Sequence, residues 1–239
     1  MTVATLSLFR FDGLANRAWA FGQVALAPVM LRHERGAKFW KVCGSGTGEG
    51  FTPKPNWGVW AIMAAWPDEE TARKAVESGP VFELWRKHTT ESWTAFLAPT
   101  QSRGEWGGVN PFTPVEAPAA NGPIVALTRA TVKLSHAAAF WNRVPNISDM
   151  IGDDPNVMFK IGIGEVPLLH QVTFSIWPDK ASMDAFARGS TPHGKVIHEV
   201  REGKWFAEEL YARFRLLGTV GQWEGGDPLT RRTEQKEAA

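Results

Sequence analysis

Two copies of one α+β unit, packed sheet against sheet into a barrel, are what this sequence predicts. The first observation is an internal repeat. "AAWPDEETARKAV" (Ala64 to Val76) matches "SIWPDKASMDAFA" (Ser175 to Ala187), placing Trp66-Pro67-Asp68 over Trp177-Pro178-Asp179. Upstream, "FWKV" from Phe39 parallels "MFKI" from Met158; downstream, "ESWTAF" from Glu91 parallels "ELYARF" from Glu209, and "GEWGG" from Gly104 parallels "GQWEG" from Gly221. The second observation is that both copies show the same succession of strand-period and helix-period stretches. The third is a Pro- and Ala-rich junction, "FTPVEAPAANGP", between them.

In the first copy, "VATLSLFRF" alternates as a strand and "LANRAWAFGQVALAPVMLRHE" reads as a helix. "KFWKVCGS" and "GVWAIMAAW" follow as antiparallel strands. Pro-Asp then opens a helix with Asp68 as its cap, and a last strand runs near Phe96. In the second copy, "PIVALTRATV" is the first strand, and "SHAAAFWNRVPNISDMI" is a helix with Ser135 at its N-cap. "VMFKIGIG" and "HQVTFSIW" pair, Asp179 caps the next helix, and the last strand lies near Phe214. The order is βαββαβ, the ferredoxin-like unit. Such a unit carries helices on one face only, so its other face must be buried. Two fused ferredoxin-like repeats achieve this by forming an α+β barrel around a central apolar space. Residues 1–112 are then the N-terminal repeat, 113–123 the linker, 124–226 the C-terminal repeat, and 227–239 a polar tail expected to be disordered.

Composition excludes several classes. Charged residues make up 21% and the net charge is +1, which gives no nucleic-acid face. The single cysteine, Cys43, rules out an internal disulfide and fits a reducing cytoplasm. The N-terminus has no signal-peptide pattern. The longest uncharged apolar run, Ala18 to Leu31, contains Pro28 and is too short to span a bilayer. A soluble, cytoplasmic protein is expected. Its 12 Trp beside a single Tyr suit an apolar pocket or interface as well as a core.

The copies differ in two places. The first is longer in "GSGTGEGFTPKPN", which matches no nucleotide-binding loop and reads as a flexible hairpin loop. The second is longer between its Trp-Pro-Asp helix and its last strand, in "TPHGKVIHEVREGKW". There Thr191 and Pro192 make a strong helix start. Helical phase puts His193 with Val196, Ile197 and Val200, and His198 with Gly194, Lys195, Arg201 and Glu202. His193 therefore points inward, and its nitrogens need partners. A backbone carbonyl or water would serve, and so would a metal or haem iron. His198 is a solvated side chain, and about 140° of helical rotation keeps the two from sharing one metal. Cys43 reads as a small buried residue. His170 and Gln171 open a strand, so one of them faces the barrel space, while His33, His88 and His136 read as surface groups. Arg129, Lys160, Arg213 and Arg215 lie on or beside strands, where an inward arginine could bind a propionate or a polar oxygen intermediate and an edge arginine would meet only solvent.

The stretches "FWKVCGSGTGEGFTPKPNWGVWAIMAAW", "KIGIGE", "FSIWPDKASMDAFA" and "HGKVIHEVREGKWFAEELYARF" resemble the spheroidene monooxygenase family, the acyclic carotenoid 2-ketolases of purple photosynthetic bacteria. The resemblance covers nearly the whole chain. It implies a haem b-dependent oxygenase that converts spheroidene to spheroidenone with O2 and electrons from reduced ferredoxin. The duplicated unit also looks like that of chlorite dismutases, dye-decolourising peroxidases and aldoxime dehydratases. In those proteins a C-terminal-copy histidine holds haem within a dimeric α+β barrel fold, which is an analogy of architecture. On this resemblance His193 is the first choice of axial ligand to the haem iron, with His170 and His198 in reserve. Arg213 or Gln171 would assist on the distal side. The Trp- and Phe-rich surfaces would line a tunnel for the polyene. Ala18 to Leu31 would be either a core helix or a peripheral contact that draws carotenoid from the photosynthetic membrane. A homo-oligomer is expected. A cofactor-free monooxygenase and a non-catalytic haem carrier of the same fold are the alternatives.

Overall fold

The computed structural model describes residues 1–115, 122–142, 154, 156–188 and 205–230. The first half runs β1 (Val3–Arg10), α1 (Leu14–Arg32), β2 (Phe39–Gly46), β3 (Pro55–Trp66), α2 (Glu69–Ser78), α3 (Pro80–Arg86) and β4 (Glu91–Gly104). The second runs β5 (Ile124–Val132), a 3-10 turn (Leu134–His136), α4 (Ala137–Trp141), β6 (Phe159–Gly164), β7 (His170–Trp177), α5 (Lys180–Arg188) and β8 (Phe206–Gly221). All eight strands close into one antiparallel barrel in the order β1-β3-β2-β6-β7-β5-β8-β4. Within each half the strands lie fourth, first, third, second: β4-β1-β3-β2 and β8-β5-β7-β6.

Period-2 alternation sorts every strand into an inner and an outer face. Ala4, Leu6 and Leu8 of β1 meet Ala61 and Met63 of β3, Trp93 and Leu97 of β4, and Phe174 and Phe214 of the second half in one buried cluster. An eight-stranded barrel is just wide enough for its side chains to fill. Among the described residues the expected central apolar space is occupied by this buried cluster of side chains. The tryptophans follow: Trp66, Trp85, Trp93, Trp106 and Trp177 are buried core residues.

On the outside of the first half, Phe9, Phe11, Trp60, Ile62, Trp66 and Phe96 are covered by α1, α2 and α3. Asp68 caps α2 by accepting from Thr71 N at 2.8 Å, and Asp179 does the same for α5 from Ser182 N at 2.7 Å. Ser135 is not the cap expected of it: its hydroxyl bonds the ring of neighbouring His136 at 2.9 Å, and a 3-10 turn precedes the short α4. Nor is α1 a fully buried core helix. It lies on the outside of the barrel and buries only Ala20, Gln23, Ala27 and Leu31. The start of the polar tail is folded: Asp227 accepts from Thr219 at 2.8 Å and caps Leu229 N at 3.1 Å, and Leu229 packs on the core.

Two seams join the halves, and they differ. The β4–β8 seam is long, from Trp93↔Gly221 to Gly104↔Leu210. The β2–β6 seam pairs only Gly44↔Gly164 and Ser45↔Ile163. The long β2–β3 connection supplements it, so it is not a free loop. Gly162 N donates to Glu49 O at 2.7 Å, Ser45 Oγ donates to Gly162 O at 2.8 Å, and Glu49 pairs with Lys160 at 2.5 Å. Past β4 the chain turns over the barrel end, where Phe112 packs edge-on against Phe39 and Phe214.

Candidate functional site

The outer face of the second half differs sharply from that of the first. Across β7, β5 and β8 it forms three rows in register: Gln171–Ala130–Glu209, Thr173–Thr128–Tyr211 and Ser175–Ala126–Arg213. The middle strand carries only small side chains where β1 and its neighbours carry Phe9, Trp60 and Phe96. Thr128 is exposed, and Ala126, Thr173, Tyr211 and Arg213 are half-buried. The result is a face of small side chains, a shallow trough open at Thr128 and covered at Ala130 and Ser175, each 6% exposed. Trp177, Met183 and Val157 close one end as a separate apolar cluster. Arg213 stands at that end, its Nη2 3.3 Å from Asp184 of α5, which also holds Lys180 at 2.5 Å. Gln171 stands at the opposite corner. Two strand spacings and four residues of rise separate their Cα atoms by roughly 16 Å, so the two side chains do not converge on one atom.

The remaining candidates fall elsewhere. His193 and His198 lie outside the described residues. His170 opens β7 one position before Gln171, so alternation turns it to the inner face, away from the trough. Its Nδ1 is 3.4 Å from Glu165 Oε2 but too poorly aligned for a hydrogen bond, and this buried nitrogen has no hydrogen-bond partner. His33 is exposed; His88 is not simply a surface group, since it stacks on Trp19 with ring centroids 3.9 Å apart.

At the inner mouth of the barrel, a charge network reaches His170 through Glu165. Glu165 is its hub, accepting from Trp106 Nε1 at 2.6 Å and Lys41 Nζ at 2.9 Å, with Arg129 Nη2 at 3.7 Å. Arg129, only 2% exposed, also pairs through Nη1 with Glu208. Glu208 in turn accepts from the amides of Gly107 and Gly108 at 3.0 and 2.8 Å. Burial pushes the Glu208 carboxyl up, but these two amides and Arg129 outweigh it and hold it below the ordinary glutamate value. Burial, reinforced by nearby Glu165, pushes the Cys43 thiol above its ordinary range and keeps it protonated. Two cations and two carboxylates balance, as buried charge requires. Arg129 had a sequence signal in its place on an apolar alternating strand. Glu165 and Glu208 had none, because their partners come from distant strands.

The opposite mouth opens into a cleft of about 310 Å³ lined by Arg10, Asn56, Lys160 and Trp223 over Val59 and Phe159. Arg10 and Lys160 are engaged there by Glu91 at 2.8 Å and Glu49 at 2.5 Å. None of the candidates read from the sequence lines it except Lys160.

No family model matches the chain. Among curated proteins, it is 58% identical to spheroidene monooxygenase of Rhodobacter capsulatus over 241 residues, covering 100% of both chains. It is 55% identical to spheroidene monooxygenase of Cereibacter sphaeroides over 96% of this chain and 71% of that one, and 31% identical to that of Rubrivivax gelatinosus over 88% and 81%. Among solved structures, an aldoxime dehydratase in complex with butyraldoxime aligns with a TM-score of 0.66 at 9% identity, over 96% of this chain and 85% of that one. A second aldoxime dehydratase structure gives 0.61 at 11% identity, over 90% and 81%. At such identities these structures speak for a shared fold alone. The identity of 58% across the whole of the Rhodobacter capsulatus protein is of another order, and by it the chain belongs to the spheroidene monooxygenase family.

Proposed function

We propose that this chain is a carotenoid monooxygenase that installs a keto group at C-2 of spheroidene, giving spheroidenone. The observation that carries the reading is the 58% identity to a spheroidene monooxygenase across the whole of both chains. The ketone arises by two hydroxylations of one carbon. Each consumes one O2, two electrons and two protons, replaces C–H by C–OH and releases water. The resulting gem-diol loses water to the ketone. Reduced ferredoxin is the proposed electron source.

The second-half trough fits haem b as the group that activates dioxygen. What supports this seat is the small side chains of Ala126 and Thr128, where the outer face of the first half carries Phe9, Trp60 and Phe96 under its helices. Bound there, haem would supply the reduction and cleavage of dioxygen. Arg213, oriented by Asp184, offers a cation to a carboxylate at one end of the trough. Gln171 offers a neutral amide at the other end, suited to hold a proton donor or water near a polar reacting atom. His193, proposed as axial ligand from its place on the segment special to the second half, would approach from the α5–β8 connection. His198 is its reserve. His170, on the inner face, would have to leave Glu165 to serve. We also infer that the chain is two fused ferredoxin-like repeats, 1–112 and 124–226; the twice-used strand order and the twice-used Asp68 and Asp179 caps support this.

Absorption and EPR spectra of the purified protein beside His193→Ala, His170→Ala and His198→Ala test the haem assignment. Loss of the axial signature in His193→Ala alone is the expected result. An unchanged signature in that variant removes His193 as ligand. Ketone formed without haem would establish a cofactor-free enzyme, and haem without ketone a carrier.

A further inference from the structure

We propose that the solvent face of α1, with Trp57 beside it, is a docking surface for an anionic lipid bilayer. The helix turns its larger apolar side chains outward and buries only Ala20, Gln23, Ala27 and Leu31. Its buried side carries Gln23, 6% exposed and with an Oε1 that has no hydrogen-bond partner. Its solvent side carries Leu14, Phe21, Leu26 and Val29 at 86, 57, 57 and 58% exposure. Trp57, 50% exposed, extends this surface by packing edge-on against Phe21, with ring centroids 5.3 Å apart. Single exposed apolar residues need no explanation, but a contiguous apolar face marks an interaction site.

Charge selects the partner. No acidic residue occurs from Gly13 to His33; Asp12 and Glu34 flank that stretch, Asp12 lying 3.8 Å from Arg17. Exposed Arg32 ends the helix, exposed Arg35 and Lys38 follow it, and exposed Lys54 lies three residues before Trp57. A second copy of this chain meeting the face across a two-fold axis would bring like charges together around an apolar centre. An anionic bilayer meets both features at once: acyl boundary for Phe21, Leu26 and Val29, headgroups for the cations, and the interfacial layer for Trp57. No helix among the described residues is long and apolar enough to cross a membrane, so the contact is in-plane. A surface of this kind would hold the barrel where a lipid-dissolved substrate is found, yet it rests on α1 and its neighbours Trp57 and Lys54 and stands apart from the carotenoid reading.

The test is co-sedimentation of the full chain with phosphatidylcholine vesicles with and without phosphatidylglycerol, which needs neither haem nor substrate. Binding to the anionic vesicles is expected, lowered about tenfold or more in Phe21→Ser/Leu26→Ser/Val29→Ser. Arg32→Gln or Lys54→Gln each lowers it about fivefold, on anionic vesicles only. Leu14→Ser repeats the apolar loss without adding charge should the triple variant fail to fold. Wild-type protein remaining in the supernatant overturns the proposal. So does a triple variant that binds like wild type, or one whose only change is the loss of a dimer in sedimentation velocity.

Discussion

Gly50 of the first half and Gly162 of β6 approach so closely that a β-carbon on Gly50 would lie 1.9 Å from the Gly162 carbonyl oxygen. Gly50 also holds a φ of +92°, a conformation that L side chains rarely adopt. The shorter seam of the barrel is thus closed by two backbones that tolerate no side chain between them. Gly50→Ala is expected to cost about 3 kcal/mol, combining overpacking with backbone strain. Gly48, at φ +64° with nothing within 4 Å, is the control, and its Ala variant should cost only about 1 kcal/mol. Urea unfolding midpoints distinguish them; equal losses would show that the seam is not a close contact.

Arg129→Met removes the cation between Glu165 and Glu208 and should destabilise by about 3–5 kcal/mol, because two carboxylates lose a buried partner. Adding Glu208→Gln to that variant should recover part of the loss, which a double-mutant cycle in denaturant measures.

Glu208 also sets a pH dependence. Its folded-state pKa lies below the ordinary 4.5, so its contribution is complete above that value and is lost as pH falls through the lower, folded-state pKa. The stability gap between wild type and Glu208→Gln should therefore be constant from neutrality down to the ordinary 4.5 and shrink as pH falls further, as followed by thermal melts across acid pH.

The contrast between the seam and the network shows what was legible in the residues. For Arg129 the residues left an inward and an edge position open; the structure buries it on the face of Val125 and Leu127, the side that alternation in "PIVALTRATV" gives it. Asp68 and Asp179 announced their helices through Pro-Asp. The seam was misread as a flexible loop, although glycines in both "CGSGTGEG" and "KIGIG" signal close backbone approach once the strands are known to adjoin. Glu165, just after "KIGIG", became a hub only through partners brought in by β2, β5 and the turn after β4. Apolar residues all round α1 erased the periodic contrast that tells a core helix from a surface one. Tryptophan count could not separate core from tunnel.

Filling the trough should remove haem without harming the barrel. Thr128→Phe places a ring on an exposed position of β5 and is expected to lower haem occupancy roughly tenfold or more by overpacking the site. Far-UV circular dichroism should stay unchanged while the Soret absorbance falls. Full haem loading in Thr128→Phe would place the group elsewhere.

Arg213 and Gln171, at opposite corners, should separate kinetically. Arg213→Gln is expected to weaken haem retention by about tenfold through loss of a charge-assisted bond, leaving turnover per bound haem near wild type. Gln171→Ala should lower turnover per bound haem by a similar factor at unchanged occupancy. Reversed effects would exchange the two roles.

The most direct measurement is the product formed from spheroidene by purified, haem-reconstituted protein with O2 and reduced ferredoxin, set against the same protein without haem. Spheroidenone from the haem-loaded protein alone, with 18O from labelled O2 in its keto group, is the predicted result. Ketone formed equally well without haem, or none formed by the loaded and reduced protein, would contradict it.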